Sequence, residues 1–111
     1  MDSALKFKPT EDQRVQQNEN YLVFQWNDGD ILFSVTQKGQ AAYVHLFCDN
    51  KHLRNLKRAC SEFVDFTFYL FDWCEMIIVT TDTPSIGRLV NKIGFTLVAT
   101  SPECDLYTRC R

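Results

Sequence analysis

A mixed α/β (α+β) sandwich is the fold class that this 111-residue sequence predicts. An antiparallel meander should lead into β-α-β-α-β-β, with two helices packed on a central mixed sheet. Three observations predict it. Short apolar runs rich in aromatic and β-branched residues are separated by glycine turns between Tyr21 and Cys48. From Ala41 onward, strand-like runs alternate with two helical patterns. The second of those helices ends in a sharp Gly94-Phe95 stop.

Residues 1–20 form a weakly patterned segment. Lys6-Phe7-Lys8 reads as a short edge strand. Thr10-Glu11-Asp12 resembles a helix start, but Glu11 to Glu19 carries only Val15 as an apolar anchor, so exposed turns or a loop are expected. Tyr21 to Trp26 is a strand, and Asn27-Asp28-Gly29-Asp30 is a turn. Ile31 to Thr36 is the next strand, and Gln37-Lys38-Gly39-Gln40 turns into a third, Ala41 to Cys48. Turns this short make the three an antiparallel meander.

Asp49 or Asn50 is placed to cap a long helix running to about Leu70. Its inner stripe is Leu53, Leu56, Cys60, Phe63 and Val64; Lys51, Arg54, Arg58, Glu62 and Asp65 lie opposite. Cys74 to Thr80 reads as a buried strand. The long helical connection before it favours parallel pairing with an earlier strand. Asp82 or Thr83 can cap the second helix, Pro84 suits its first turn, and Ile86, Leu89, Val90 and Ile93 form its stripe. Phe95 to Thr100 and Asp105 to Cys110 close the chain as a hairpin.

A chain of this length is one domain, 1–111, with one core. Hydrophobic residues make up 45%, which excludes a disordered chain. The net charge of −2 supplies no global field toward nucleic acid or an anionic membrane, so any anion site must be local. The first residues lack the apolar run of a signal peptide, and no window is apolar enough to span a membrane. The five cysteines are odd in number and show no C-x-x-C spacing, which fits reduced thiols and a cytoplasmic location. A zinc site from His45, Cys48 and His52 is the sharper alternative, but His45 and Cys48 sit three apart on a strand and so point to opposite faces.

Lys51, His52, Arg54, Lys57 and Arg58 crowd the front of the first helix. Free amides and cationic side chains converging there would make an anion receptor. The plainer reading is a solvated basic face balanced by Glu62 and Asp65. His45 is a candidate general base, Cys48 a weaker candidate nucleophile, and Glu75 and Asp82 are the nearby carboxylates. The aromatic run Phe66 to Trp73 exceeds one helical stripe, and Phe66 and Tyr69 lean away from the Leu53–Phe63 line. It is either core wrapped around a sheet edge or a surface for a partner or a second copy.

The element order resembles the Gcn5-related N-acetyltransferase (GNAT) fold over Tyr21 to Arg111. Thr83 to Phe95 resembles the family's Asn-x-x-Ala-x-x-Leu-Tyr-x-Lys-x-Gly-Phe segment through Leu89, Lys92, Gly94 and Phe95, with Ile86 in place of its alanine. The resemblance implies acetyl-CoA bound where the strand like Ala41–Cys48 splays from the strand like Cys74–Thr80. It implies pyrophosphate at the start of the first helix. On that basis Val44, Leu46, Lys51, Arg54, Asn55, Arg58 and Thr83 are the candidate cofactor contacts.

The chain also departs from the family. The Arg/Gln-x-x-Gly-x-Gly/Ala loop aligns with Lys51-His52-Leu53-Arg54-Asn55-Leu56, so Arg54 and Leu56 fill both small positions. The general-acid tyrosine aligns with Val90, and the cofactor-contacting asparagine with Thr83. The helices between the family's first two strands are missing or reduced to Thr10–Glu19. The second half is also similar to small GNAT-like proteins of tailed bacteriophages. The expected function is therefore a virus-encoded protein that binds a macromolecular partner, in the host cytoplasm or in the virion, with a degenerate site and no cofactor. The alternative is an active acetyl-CoA-dependent N-acyltransferase with a divergent loop. A nucleic-acid binder is disfavoured by charge.

Overall fold

The computed structural model describes residues 7–10, 21–26, 31–48 and 54–111. In these, β1 (Phe7–Thr10), β2 (Tyr21–Trp26), β3 (Ile31–Lys38), β4 (Ala41–Cys48), β5 (Met76–Thr81), β6 (Thr96–Thr100) and β7 (Asp105–Cys110) form one sheet. Its order is β1-β2-β3-β4-β5-β7-β6. Helix α1 (Leu56–Leu70) connects β4 to β5, and α2 (Pro84–Lys92) connects β5 to β6. The β4–β5 pair is parallel and the other ladders are antiparallel. The mixed sheet and its two helices match the predicted order. Phe7 and Lys8 do lie in an edge strand, β1, which runs on to Thr10. The expected loop at 11–19 lies outside the described residues.

Cross-strand register fixes the two faces. Val35 pairs with Val44, Phe33 with Leu46 and Ile31 with Cys48, so these side chains share the face that α1 covers. Tyr43, His45 and Phe47 point the other way. The core between helix and sheet is built on aromatic contacts. Phe63 of α1 stacks on Phe33 with centroids 4.2 Å apart, and Phe66 meets Phe24 edge-on at 5.0 Å. Trp26 Nε1 donates to Glu62 Oε1 at 2.9 Å, which ties β2 to the helix above it.

Two expectations need correction. Regular helix begins at Leu56, after a 3₁₀ turn at Arg54–Asn55, rather than near Asn50. Asn55 makes no side-chain cap, and residues 49–53 lie outside the described region. Phe66 does not lean away from the apolar stripe: it is 5% exposed and packs on Phe24. Phe71 and Trp73 join the same aromatic wall, with centroids 5.0 Å apart. Tyr69 is exposed, as expected.

The end of α2 follows its sequence grammar. Gly94 adopts φ +100, which returns the chain so that Phe95 N–H reaches the Val90 carbonyl at 3.0 Å. Phe95 buries against the core. At the other end Pro84 opens the helix and Thr83 precedes it in extended conformation. Gly87 is needed for packing instead: a Cβ there would collide with the Tyr107 hydroxyl. No helix among the described residues is long and apolar enough to cross a membrane.

Candidate functional site: a cleft between two parting strands

Only three residue pairs join β4 to β5: Ala41–Met76, Ala42–Ile77 and Tyr43–Ile78. Beyond them β4 continues for five residues and β5 for three, held by β3 and β7 on their outer sides. The gap is a cavity of about 330 Å³. That is the lower end of the size range of small-molecule sites. Val44, Leu46, Val79, Val64, Ile86 and Val90 give it an apolar wall on the helix side. His45, Thr80, Thr81 and Thr83 supply polar groups.

The backbone of β4 is the second feature of the cleft. Gly39-Gln40, with Gly39 at φ +62, forms a two-residue turn between Lys38 and Ala41. Residues flanking such a turn exchange hydrogen bonds, and the direction alternates from there. Tyr43, His45 and Phe47 therefore turn their amides toward β3. Ala42, Val44 and Leu46 turn theirs toward β5. The Gln40 carbonyl is on that same side and accepts from Glu75 N–H at 2.8 Å. The last pair, Tyr43–Ile78, is therefore closed by Val44 N–H donating to the Ile78 carbonyl, and the Val44 carbonyl and the Leu46 N–H and carbonyl face the cavity beyond the end of the ladder. This is a polar edge set in an apolar wall, suited to an extended ligand with amide groups of its own.

No protein-family model matches the chain, and no curated protein matches it significantly. Solved structures do match. The N-acetyltransferase PseH of Campylobacter jejuni superposes with a TM-score of 0.73 at 8% identity, over 86% of this chain and 71% of that one. A chimera of spermidine N-acetyltransferase SpeG from Vibrio cholerae and hSSAT gives 0.68 at 10% identity, over 84% and 68%. AAC(6′)-Ib in complex with ribostamycin and coenzyme A gives 0.68 at 13%, over 84% and 65%. The fold is the GNAT fold. At these identities the likeness carries architecture and nothing finer.

Within this GNAT fold the predicted site residues separate into groups. Val44, Leu46, His45 and Thr83 border the cleft. Thr83 Oγ1 donates to Asp82 Oδ1 at 3.2 Å, and Thr83 N–H to Thr81 Oγ1 at 3.1 Å. Arg54, Asn55 and Arg58 lie at the start of α1 and do not line the cavity. The cavity reaches Cys48 at the end of β4 and Cys60 in the second turn of α1, so the start of α1 lies near that end of the cleft. Arg58 is committed to Glu62 at 3.1 Å. Arg54 and Lys57 are exposed and make no ion pair among the described residues. Lys51 and His52 lie outside the described residues.

The structure also relocates a steric obstacle. Leu56 is 2% exposed and packs in the core, and Arg54 is exposed. Neither side chain is buried in the cleft, whose lining includes neither. The inward direction of Leu56 follows from a first regular turn that begins at Leu56 itself. Val90 does line the cleft, at 2% exposure, where the family's motif has tyrosine. Glu75 and Asp82 do not line it.

His45 is exposed on the face away from the helices. Partial desolvation holds its pKa below the ordinary value, so it is neutral at pH 7. Continuing the β4–β5 register by two residues sets it against Thr80 across the gap. Among the described residues no cluster of His, Cys, Asp and Glu could hold a metal.

Proposed function

We propose that this protein binds an acyl-coenzyme A in the cleft between β4 and β5 and transfers the acyl group to an amine. The observation that carries the reading is the end of the β4–β5 ladder at Tyr43 and Ile78, which leaves the Val44 carbonyl and the Leu46 N–H and carbonyl facing an apolar cavity. A pantetheine arm has the matching chemistry, with amide groups spaced along a thin aliphatic chain. The free amides at the start of α1, with Arg54 and Lys57 beside them, would take the phosphates. Coenzyme A is bound in the structure of AAC(6′)-Ib, which shares this fold.

The chemistry then divides between the two faces. The helix side is apolar and holds the arm. On the open side, His45 is the base placed to take a proton from the incoming amine. The amine lone pair attacks the thioester carbonyl carbon, the C–S bond breaks, and the thiolate leaves. Val90 has no proton to give it, so water must protonate the thiolate. Loss of a positioned general acid costs about 10²–10⁴ in rate. An intact binding cleft with slow turnover is the consequence. Titration calorimetry with acetyl-CoA, followed by a thiol-release assay over a panel of amines, tests both parts. Micromolar binding with measurable release supports the reading, and absence of binding removes it.

Val90 also favours a second reading, in which the cleft keeps its shape and the protein works by binding a macromolecular partner. The virus-encoded role suggested by the sequence pattern belongs to that reading. Tyr69, exposed at 58%, and Leu70, exposed at 44%, would then be the first places to look for contact with the partner. Acetyl-CoA binding without turnover on any amine would favour it.

A further inference from the structure

We propose that Cys48 and Cys60 form a dithiol modification site inside the cleft, oxidised together by a low-molecular-weight disulfide. Cys48 is the last residue of β4 and pairs with Ile31, which places its side chain on the face covered by α1. Cys60 lies on the sheet-facing stripe of α1, between Ala59 and Phe63. Both border the same cavity, one from the strand and one from the helix. Cys104 and Cys110 belong to the β6–β7 hairpin and do not line it.

The two thiols differ in the way an attacking and a resolving thiol should. Cys48 is half-buried and open to the cleft; Cys60 is 6% exposed. Burial pushes the Cys60 thiol up to about 12, and a thiolate on Cys48 pushes it the same way, so the two sulfurs sense each other. Cys60 is therefore inert toward reagents in solution, and reaction starts at Cys48. The Cys48 thiolate attacks one sulfur of the small disulfide, that S–S bond breaks, and the first small thiol leaves. Cys60 then loses its proton to solvent and attacks the Cys48 sulfur, releasing the second small thiol. Two protein thiols are oxidised and one small disulfide is reduced to two thiols.

The bond would join the end of β4 to the second turn of α1 and so tether the basic start of the helix to the sheet. It would also place sulfur in the cavity where a ligand arm would run. The inference goes beyond acyl transfer and needs only the cavity.

Incubating the protein with oxidised glutathione, then mapping peptides without reduction, tests it. Trypsin separates the two cysteines, because Lys51, Arg54, Lys57 and Arg58 lie between them. The peptide that carries Cys60 also carries Cys74, and chymotrypsin at Phe63 or Phe66 parts those two in the wild-type chain. The expected product is a Cys48–Cys60 crosslink. In Cys60→Ala, Cys48 should keep a stable glutathione adduct, and in Cys48→Ser, Cys60 should stay unmodified. A crosslink through another cysteine, or no reaction at Cys48, would overturn the proposal. If acetyl-CoA binds the reduced protein, the oxidised form should bind it at least tenfold more weakly, and equal affinity would overturn the blocking of the cleft. If the reduced protein does not bind acetyl-CoA, the acyl-transfer reading fails, and the peptide map still decides this one.

Discussion

Tyr43 and Ile78 are the last residues to pair between β4 and β5, and every later residue of either strand borders the cleft. The two strands do not part for lack of strand character: each is held on its outer side to its end, β4 by β3 and β5 by β7. The sheet therefore opens in its middle while its flanks stay closed. This turns ordinary strand backbone into a binding surface.

The first prediction concerns that backbone. Leu46→Pro removes an N–H that faces the cleft and leaves the β3 ladder intact. Phe47→Pro removes one that faces β3, opposite Leu32, and orphans its acceptor at a cost of about 1–3 kcal/mol. Leu46→Pro should melt near the wild type but bind acetyl-CoA at least tenfold more weakly. Phe47→Pro should melt lower. Thermal melts beside calorimetry separate the two effects, and equal loss of stability in both variants would contradict the assigned backbone directions.

The second concerns charge at the start of α1. Arg54→Glu should weaken coenzyme A binding by about 1.5–3 kcal/mol, the range for a hydrogen bond to a charged group. Arg58→Gln should matter less, because that guanidinium is engaged with Glu62. Calorimetry at two ionic strengths checks this, and Arg54→Glu should show the flatter salt dependence. Unchanged affinity in Arg54→Glu would remove the phosphate assignment.

The third follows from Gly87. A methyl group there collides with the Tyr107 hydroxyl, the end of a buried ring held between β7 and α2. Gly87→Ala should destabilise by about 1–3 kcal/mol despite the better helix propensity of alanine. Adding Tyr107→Phe should return part of the loss, although the ring carbon beneath the hydroxyl would still stand 3.0 Å from the new methyl. Denaturant melts of the two single variants and the double variant form the cycle.

The fourth uses His45. Desolvation lowers its folded pKa, so between the unfolded value of about 6.5 and the lower folded value the unfolded chain binds more protons. Its contribution to stability is complete above pH 6.5 and is lost as pH falls through the folded pKa. If His45 is also the base, the acid limb of the transfer rate should lie below pH 6.5, and His45→Gln should abolish that limb. A pH profile unchanged in His45→Gln would exclude it as the base.

Residue patterns made much of this fold legible. The Ile86–Ile93 stripe, Pro84 and Gly94-Phe95 specify α2 by local rules, and the structure keeps all of them. The meander was legible from its turns for the same reason. The parting of β4 from β5 was not legible from side chains, because alternation tells which way a residue points and not where a ladder ends. Only resemblance to a known fold anticipated it. The start of α1 was not legible because Asp49 and Asn50 have cap chemistry, while Asn55, the residue before the regular helix, makes no side-chain cap at all. The burial of Leu56 follows from the first turn of that helix and is not carried by the sequence pattern alone. The aromatic segment was misjudged at Phe66 because its partner, Phe24, comes from a distant strand.

The central claim is that the gap beyond Tyr43 and Ile78 holds a pantetheine arm. Amide NMR spectra recorded during titration with acetyl-CoA test it most directly. The account predicts saturable binding, with the amide of Leu46 among the most shifted and those of the β6–β7 hairpin nearly still. Saturation that leaves the Leu46 amide unmoved, or no saturation up to about 1 mM, a binding energy near 4 kcal/mol, would contradict it.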